Sequence, residues 1–287
     1  MTSAKGCGST SGCGDGRGGC APPPSGLLDR RGLLKMLGLG AGLLVVPIGR
    51  LALADDKKAK DEEDDKEAPR RDPALDYDWN KHYWGYAVDT TKCIGCLACM
   101  RACRAENDVP TGYVRTWIER YTIDGKGEVR VDCAKDEQAG FTELPPGDEV
   151  AKSFFVPKIC NHCEKSVCNQ VCPVGAAYRT KDGLVLVDQK RCIGCGYCVQ
   201  ACPYGSRFID PRSHTASKCT LCYHRITRGL LPACVQACPK GARLFGDLAD
   251  PKSELSTILR QRRYRLLRPE MGTHPKCYYI GLDREVI

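Results

Sequence analysis

Hydrophobic and polar positions divide the chain into a long N-terminal part without an alternating pattern and a remainder with short apolar segments. Residues 1–28 are rich in Gly, Ser and Pro and show no hydrophobic period. An uncharged run of 14 residues follows at 36–49, and residues 55–72 hold fifteen charged residues out of eighteen. The pattern predicts a disordered leader, one apolar segment and a solvated linker before the folded part begins.

Beyond the linker, the apolar segments have the length and alternation of strands, and aromatic residues arrive together at 79–88. A Gly-containing turn at 124–127 joins two of these segments and predicts a hairpin. Strands are predicted at 113–121, 128–132, 154–159 and 184–188.

Near the C terminus, Ser253 is a candidate N-cap, and a helix is predicted from there to about Leu267. Five arginines crowd toward its C-terminal end: Arg260, Arg262, Arg263, Arg265 and Arg268. Because the helix dipole favours cations there, a solvated face is the first interpretation, and docking of an acidic partner surface is the alternative.

The apolar run at 36–49 has the layout of a signal peptide. It is shorter than the roughly 20 residues a spanning helix needs, Arg30 and Arg31 precede it, and Ala52 and Ala54 follow it. The pattern resembles a twin-arginine export signal, with Leu33 where that family often has Phe. This implies export of a folded protein to the periplasm or the outer face of the membrane. A buried core helix and an uncleaved anchor are the alternatives.

The chain contains 21 cysteines, far above ordinary usage. Three are scattered in the leader, at Cys7, Cys13 and Cys20, where a small metal or lipid site is the alternative to disorder. Sixteen form four quartets: Cys93, Cys96, Cys99, Cys103; Cys160, Cys163, Cys168, Cys172; Cys192, Cys195, Cys198, Cys202; and Cys219, Cys222, Cys234, Cys238. Every quartet ends in Cys-x3-Cys, and Cys-Val-Gln-Ala-Cys-Pro occurs at both 198–203 and 234–239, which indicates an internal repeat.

This spacing is typical of iron–sulfur ligation. Three closely spaced thiolates can bind three corners of one [4Fe–4S] cluster, and the cysteine after Cys-x3 can ligate a second cluster. Glycines such as Gly95 and Gly194 allow the backbone to approach a cluster. A zinc ribbon and a disulfide framework are the weaker alternatives, because a third nearby cysteine suits neither a tetrahedral ion nor a disulfide. Four clusters would carry about −8 in total against the formal charge of +8, so the basic residues are interpreted as counter-charge and no nucleic-acid partner is expected.

Residues 83–249 resemble the four-cluster iron–sulfur subunit of the dimethyl sulfoxide reductase superfamily. The motifs that carry the resemblance are Cys-Arg-Ala-Glu-Asn at 103–107, Ile-Cys-Asn-His-Cys at 159–163 and Lys-Cys-Thr-Leu-Cys at 218–222. Similar subunits also serve quinone-linked complexes of sulfur metabolism without molybdopterin. The resemblance implies an α+β fold of two nested ferredoxin-like dicluster domains, with an inserted hairpin and long cluster-binding loops.

In that family each quartet gives three ligands to its own cluster and one to its partner's. We call the four ligand groups that this implies the first to fourth sets. The first set is Cys93, Cys96, Cys99 and Cys238, and the second is Cys219, Cys222, Cys234 and Cys103. The third is Cys160, Cys163, Cys168 and Cys202, and the fourth is Cys192, Cys195, Cys198 and Cys172. The first two sets form the outer pair, and the other two form the inner pair.

The domain boundaries expected from these patterns follow the chain. They are a leader with signal peptide at 1–54, a charged disordered linker at 55–78, an outer dicluster domain at 79–112 and 205–250, an inserted hairpin region at 113–153, an inner dicluster domain at 154–204, and a C-terminal helix and tail at 251–287.

The resemblance implies an electron-transfer subunit rather than an enzyme, because sixteen ligands saturate four clusters and no nucleophile–base set or phosphate loop is present. The implied partners are a catalytic oxidoreductase subunit, of molybdopterin type, and an integral membrane quinone or cytochrome subunit. The alternatives are a sulfur-linked quinone complex without molybdopterin, and a redox sensor or structural scaffold. Cys133 and Cys277 are left over, as spare thiols or a mutual disulfide, and His162 is expected to hydrogen-bond the backbone.

Overall fold

The computed structural model describes residues 77–134, 140–144 and 150–286. The predicted leader and signal peptide, and the predicted linker apart from its last two residues, lie outside these ranges. None of the helices within them is long and apolar enough to cross a membrane.

Short strands and helices alternate along the described chain. The strands are β1 (Trp84–Asp89), β2 (Thr116–Asp124), β3 (Val129–Cys133), β4 (Val150–Ile159), β5 (Ala177–Arg179), β6 (Val185–Val187), β7 (Arg207–Ile209), β8 (Ala216–Lys218), β9 (Arg243–Asp247), β10 (Tyr264–Arg265) and β11 (Cys277–Ile280). The α-helices are α1 (Ala98–Asn107), α2 (Val167–Gln170), α3 (Tyr197–Gln200), α4 (Tyr223–Ile226), α5 (Ala233–Gln236) and α6 (Glu254–Gln261). Single 3-10 turns lie at Trp79–Lys81 and Pro269–Met271.

The strands form one four-stranded sheet, one three-stranded sheet and two hairpins. In the four-stranded sheet the order is β10-β11-β1-β9, where β1 runs antiparallel to β9 and parallel to β11. This pairing joins the strand before the first quartet to the strand after the fourth. The hairpins β5–β6 and β7–β8 follow the second and third quartets.

The three-stranded sheet has the order β3-β2-β4, with both pairings antiparallel. At the turn between β2 and β3, the Asp124 carboxylate accepts hydrogen bonds from the backbone N–H groups of Lys126 and Glu128, each at 2.9 Å. The first strand begins at Thr116, not at residue 113 as expected. The Arg104 guanidinium binds the backbone carbonyls of Val109, Pro110 and Tyr113, which holds the preceding segment in a turn.

The C-terminal helix is shorter than predicted. Ser253 is its N-cap and accepts a hydrogen bond from Ser256 N–H at 3.1 Å, but the helix ends at Gln261 and Arg262 is extended. An ion pair between Arg262 and the buried Asp89 favours this end, because it directs the chain back to the sheet, where β10 pairs with β11. The predicted arginines are exposed to solvent as expected, but only Arg260 lies in the helix, so the expectation of one arginine-rich helix face is wrong.

Packing of apolar side chains joins the sheets into one main core. Tyr86 and Val88 of β1, Ile118 of β2 and Val156 of β4 are almost fully buried there. The same core contains the buried cysteines Cys99, Cys219, Cys234 and Cys277. Three of these are predicted ligands, so the cluster loops are part of the core rather than attached to its surface.

Candidate metal centre

The Cys-Ile-Gly-Cys loops of the first and third quartets need glycine for two reasons. Gly95 and Gly194 have φ of +69° and +70°, in the left-handed region that favours glycine. A Cβ on Gly194 would lie 2.2 Å from the backbone oxygen of His214, and one on Gly95 would lie 2.5 Å from the Phe155 ring. The loops are thus closely packed and turn their chains toward α1 and α3, which carry the following cysteines.

The first set surrounds one cavity. Cys93, Cys96 and Cys99 line it together with Cys238, which lies more than a hundred residues downstream. The cavity contains about 320 Å³ of space not filled by atoms, part of it open to solvent, and Arg243 lies in its wall. Three cysteines of the first quartet and one of the fourth therefore meet at one place.

The second set surrounds a neighbouring cavity, where three cysteines come from the fourth quartet and one comes from the first. Cys219, Cys222 and Cys234 line it together with Cys103, and about 280 Å³ of it is not filled by atoms, part of this space being open to solvent. Asn107 Nδ2 lies 3.7 Å from Cys103 Sγ and 3.6 Å from Cys222 Sγ, where it can donate to thiolates from both quartets. Each of the two quartets thus gives one cysteine to the other's cavity, because α1, which carries Cys99 and Cys103, packs against α5.

The third set is also brought together. The pKa of Cys163 is raised to about 12, first by burial and then by the neighbouring Cys160, Cys168 and Cys202 as like charges. Cys202 belongs to the next quartet, so the fourth cysteine again comes from another part of the chain. Four crowded thiols whose charged forms repel one another are stable as thiolates only beside a cation, which suits a bound iron cluster.

The described contacts do not join all four cysteines of the fourth set. Helix α2, which contains Cys168, packs on α3, which contains Cys198. Although burial raises it, the net pKa of Cys172 is lowered because backbone N–H groups of Ala177, Val174 and Ala176 stabilise the thiolate. No contact of Cys172 with the other three cysteines of this set is described, so that ligation stays a prediction.

Three buried cations adjoin the sets, and sequence reasoning missed them. Arg207, Lys218 and Arg243 are each only 2 % exposed. Lys218 Nζ donates to the Cys219 carbonyl at 2.7 Å, and burial lowers its pKa. A sequence signal exists for the two arginines, since each ends a repeated Cys-Pro-x-Gly-x-Arg segment, at 202–207 and 238–243.

Whether iron–sulfur clusters fit the cysteine sets can be judged from buried hydrogen-bond donors that lack a partner among the described residues. Within the described residues, Arg207 Nη1 and Arg115 Nε are buried and hydrogen-bond to nothing. Arg115 lines the second cavity, and Arg207 Nη2 lies 2.9 Å from Cys168 Sγ. Because such groups are normally satisfied, acceptor sulfurs beside them fit the arrangement. Both donors are consistent with [4Fe–4S] clusters at these sets.

His162 lies between two predicted ligands and is fully buried. Its Nδ1 accepts a hydrogen bond from Val185 N–H at 3.1 Å, as expected from the sequence for a backbone-bonded histidine. Burial, followed by the nearby Lys218 and Lys276, lowers its pKa well below the usual value. The imidazole is therefore neutral in this environment.

The two leftover cysteines do not pair with each other. Cys277 is a free thiol and fully buried on β11, so the mutual disulfide is wrong. Burial raises its pKa to about 12, which fits a spare core thiol. Cys133, at the end of β3, is not one of the free thiols, so the spare-thiol interpretation is wrong for that residue.

Comparison with known proteins agrees with the cysteine geometry. A family model described as a 4Fe-4S dicluster domain matches residues 151–248, and one described as a 4Fe-4S binding domain matches residues 86–106. Together they include all four quartets, which disfavours the zinc and disulfide alternatives.

Curated relatives match most of the described chain. The tetrathionate reductase B subunit of Archaeoglobus fulgidus is 47 % identical over 197 residues, which are 69 % of this chain and 81 % of that protein. The tetrathionate reductase B subunit of Salmonella typhimurium is 40 % identical over 205 residues, 71 % of this chain and 74 % of that protein. A putative dimethyl sulfoxide reductase iron-sulfur B subunit of Halobacterium salinarum is 37 % identical over 217 residues, 69 % of this chain and 79 % of that protein.

These relatives are B subunits of reductases, which favours electron transfer over a redox sensor or scaffold. The chain belongs to the iron–sulfur B subunits of the dimethyl sulfoxide reductase superfamily: it is an electron-transfer subunit that binds [4Fe–4S] clusters through its cysteines, and the catalytic centre lies on another chain.

Proposed function

We propose that the chain relays single electrons through four clusters held by the first to fourth sets, in that order. The observation that carries this proposal is the arrangement of the cysteines around the two outer cavities, where each quartet completes the other's set. Cys219 of the second set also interacts electrostatically with Cys160 of the third, which supports a continuous line of sites.

Ligand exposure supports the two ends of this line. Cys96 in the first set and Cys195 in the fourth are exposed, whereas all four cysteines of the second set are buried. Electrons would therefore enter and leave through the first and fourth clusters. Ile193 and Tyr197, on either side of Cys195, are 64 % and 60 % exposed, which fits a surface covered by a partner.

The nested arrangement belongs to the same proposal. The packing of α1 on α5 and of α2 on α3 supports an outer domain at 79–112 and 205–250 around an inner domain at 154–204. Strands β2 and β3 would form the inserted hairpin of residues 113–153, and residues 251–287 would complete the four-stranded sheet.

The proposed partners are a catalytic oxidoreductase subunit of molybdopterin type and an integral membrane quinone or cytochrome subunit. The relatives named as tetrathionate and dimethyl sulfoxide reductase subunits support this assembly. A quinone-linked complex without molybdopterin is the alternative, and purification of the native complex with molybdenum analysis separates the two.

We further propose export by the twin-arginine pattern at Arg30 and Arg31, which would place the subunit on the outer side of the cytoplasmic membrane. Replacement of both arginines by lysine should leave the metallated protein in the cytoplasm, as measured by cell fractionation. Normal export of that variant would contradict this assignment.

The relay is tested by cluster content and cross-ligation in the anaerobically purified full chain. Iron and sulfide analysis should correspond to four [4Fe–4S] clusters. The Cys238→Ser variant should perturb the electron paramagnetic resonance (EPR) signal that Cys93→Ser perturbs, and Cys103→Ser should perturb the signal that Cys219→Ser perturbs.

The Cys277→Ala variant is the matched control, because it removes a buried thiol outside all four sets. It should keep every signal. If Cys238→Ser instead matched Cys219→Ser, each quartet would ligate its own cluster and the proposed nesting would be wrong.

A further inference from the structure

Two arginines occupy the same position in two copies of the internal repeat. Arg207 follows Cys202 by five residues, and Arg243 follows Cys238 by five residues. Arg207 is the first residue of β7, and Arg243 is the first residue of β9. The second quartet has Ala177 at this position and the first has Asp108, so each cluster pair receives one such arginine.

Arg243 lies between the first and second sets. Its guanidinium donates to Tyr86 Oη at 3.0 Å and to Thr116 Oγ1 at 2.8 Å, and it lines the cavity of the first set. Tyr86 Oη in turn lies 3.5 Å from Cys234 Sγ, which belongs to the second set. The positive charge acts on Cys99 and on Cys234, one cysteine from each set.

Arg207 has the corresponding relation to the inner pair. Its Nη2 lies 2.9 Å from Cys168 Sγ of the third set. Its charge also acts on Cys160 of that set and on Cys198 of the fourth. Since Arg207 Nη1 has no partner within the described residues, it is available to donate to further sulfur acceptors.

Carboxylates do not neutralise these two charges. Among the described residues, neither Arg207 nor Arg243 forms an ion pair with Asp or Glu. An unpaired buried charge is strongly unfavourable, so its compensation must come from the negative groups that it does face, which are the thiolates. The two arginines and the cluster ligands are therefore each other's counter-ions.

We propose that Arg243 and Arg207 set the reduction potentials of the clusters, each arginine raising the potentials of both members of one pair. The inference rests on the proposed four-cluster relay. Reduction adds one electron, and therefore one negative charge, to a cluster, and a nearby fixed cation stabilises that state. Because a guanidinium does not lose its proton in proteins, its positive charge stays fixed while an electron passes from cluster to cluster. No proton transfer and no change of bonds accompany that step.

One arginine shared by two clusters has a specific consequence. Because both clusters of a pair gain stabilisation from the same charge, their potentials move together, and the two pairs can be adjusted independently. A merely structural arginine would not produce a shift confined to two of four clusters.

The test is a redox titration followed by EPR on the full chain with its clusters, with signals assigned to pairs through the cysteine variants described for the relay. Arg243→Gln should lower both outer potentials and leave the inner ones unchanged. Arg207→Gln should do the reverse. The matched control is Arg120→Gln, which removes a partly buried arginine that pairs with Asp132 and lines neither outer cavity, and it should shift no cluster.

Four signals with unchanged potentials in both glutamine variants would overturn the inference and leave the relay intact. A shift in only one cluster, or an equal shift in all four, would also contradict it. Fewer than four signals in the unmodified protein would contradict the relay itself, and the shifts of the remaining signals would still test the arginines.

The lysine variants cover the case in which a glutamine variant does not assemble. Arg243→Lys and Arg207→Lys keep the charge but lose the planar guanidinium. They should hold the pair's potentials close to those of the unmodified protein. A large lowering in the lysine variants would show that charge is not the cause and would overturn the inference.

Discussion

The quartets of the outer and inner pairs share their first step, Cys-x2-Cys, and their last step, Cys-x3-Cys, but the two pairs differ in how much structure surrounds them. Cys99, Cys219 and Cys234 of the outer pair belong to the main core with β1 and β2. In the inner pair, α2 packs on β5 and α3 on β7, which are strands of two-stranded hairpins, and Cys195 is exposed. The outer sets are therefore built into the main core, whereas the inner sets lie beside small hairpins, although Cys96 of the outer pair is exposed as well.

The largest expected effect tests this difference directly. Cys219→Ser should prevent accumulation of folded protein, because it removes a ligand at the core and leaves a buried hydroxyl that alone costs about 1–3 kcal/mol. Cys195→Ser should fold with nearly unchanged yield and lose only its own cluster's EPR signal. Soluble yield and thermal unfolding of the two variants are the measurements. Equal destabilisation would show that the pairs do not differ in their contribution to the fold.

A second comparison concerns the two equivalent glycines. Gly194→Ala in the inner loop meets a backbone oxygen at 2.2 Å, whereas Gly95→Ala in the outer loop meets the ring of Phe155. Both substitutions carry a positive-φ cost of about 1–2 kcal/mol. Because a ring can move more readily than a backbone, Gly194→Ala should lose more stability and more of its cluster, as shown by unfolding and EPR. Gly196→Ala, with positive φ and open space around its Cβ, is the control.

Sequence reasoning predicted the site better than its surroundings. The cysteine spacing is a local pattern with strong chemical meaning, and it located the quartets that line the two outer cavities. The strand pattern placed β4 and β6 close to their positions in the structure. Local patterns of this kind predict the structure correctly because residues that are close in sequence determine the local geometry.

The failures came from tertiary contacts. The predicted helix to Leu267 ends early because Arg262 pairs with Asp89, 173 residues away in the chain. The burial of Arg207 and Arg243 depends on which elements meet, so the repeated Cys-Pro-x-Gly-x-Arg segment marks their positions in the sequence but not their surroundings in the fold. Cys277 could not be distinguished from a disulfide cysteine by spacing alone.

The stability of the fold around the inner domain, residues 154–204, should depend on pH through one buried lysine. Lys276 is buried beside this region, donates to the Gly183 carbonyl and lies 4.3 Å from the Tyr83 ring; burial lowers its pKa to about 8. Because the unfolded chain binds this proton more tightly, stability should rise with pH between about 8 and 10.5, by roughly 1–3 kcal/mol. Lys276→Met should lack this rise in urea titrations. A parallel pH dependence in both proteins would contradict the assignment.

The smallest expected effect compares two ion pairs near the first and second cysteine sets. Arg225 and Glu106 join α4 to α1 at 2.8 Å with side chains 18 % and 25 % exposed, whereas Arg212 and Asp108 meet at 2.7 Å but are 51 % and 90 % exposed. Exposed pairs contribute about 0.2–1 kcal/mol because water and salt screen them. Double-mutant cycles with glutamine or asparagine should therefore give a larger coupling for Arg225–Glu106 than for Arg212–Asp108. Raising the salt concentration should remove the second coupling first. The reverse order would mean that the surface between α1 and α4 is more open to solvent in solution than the described contacts indicate.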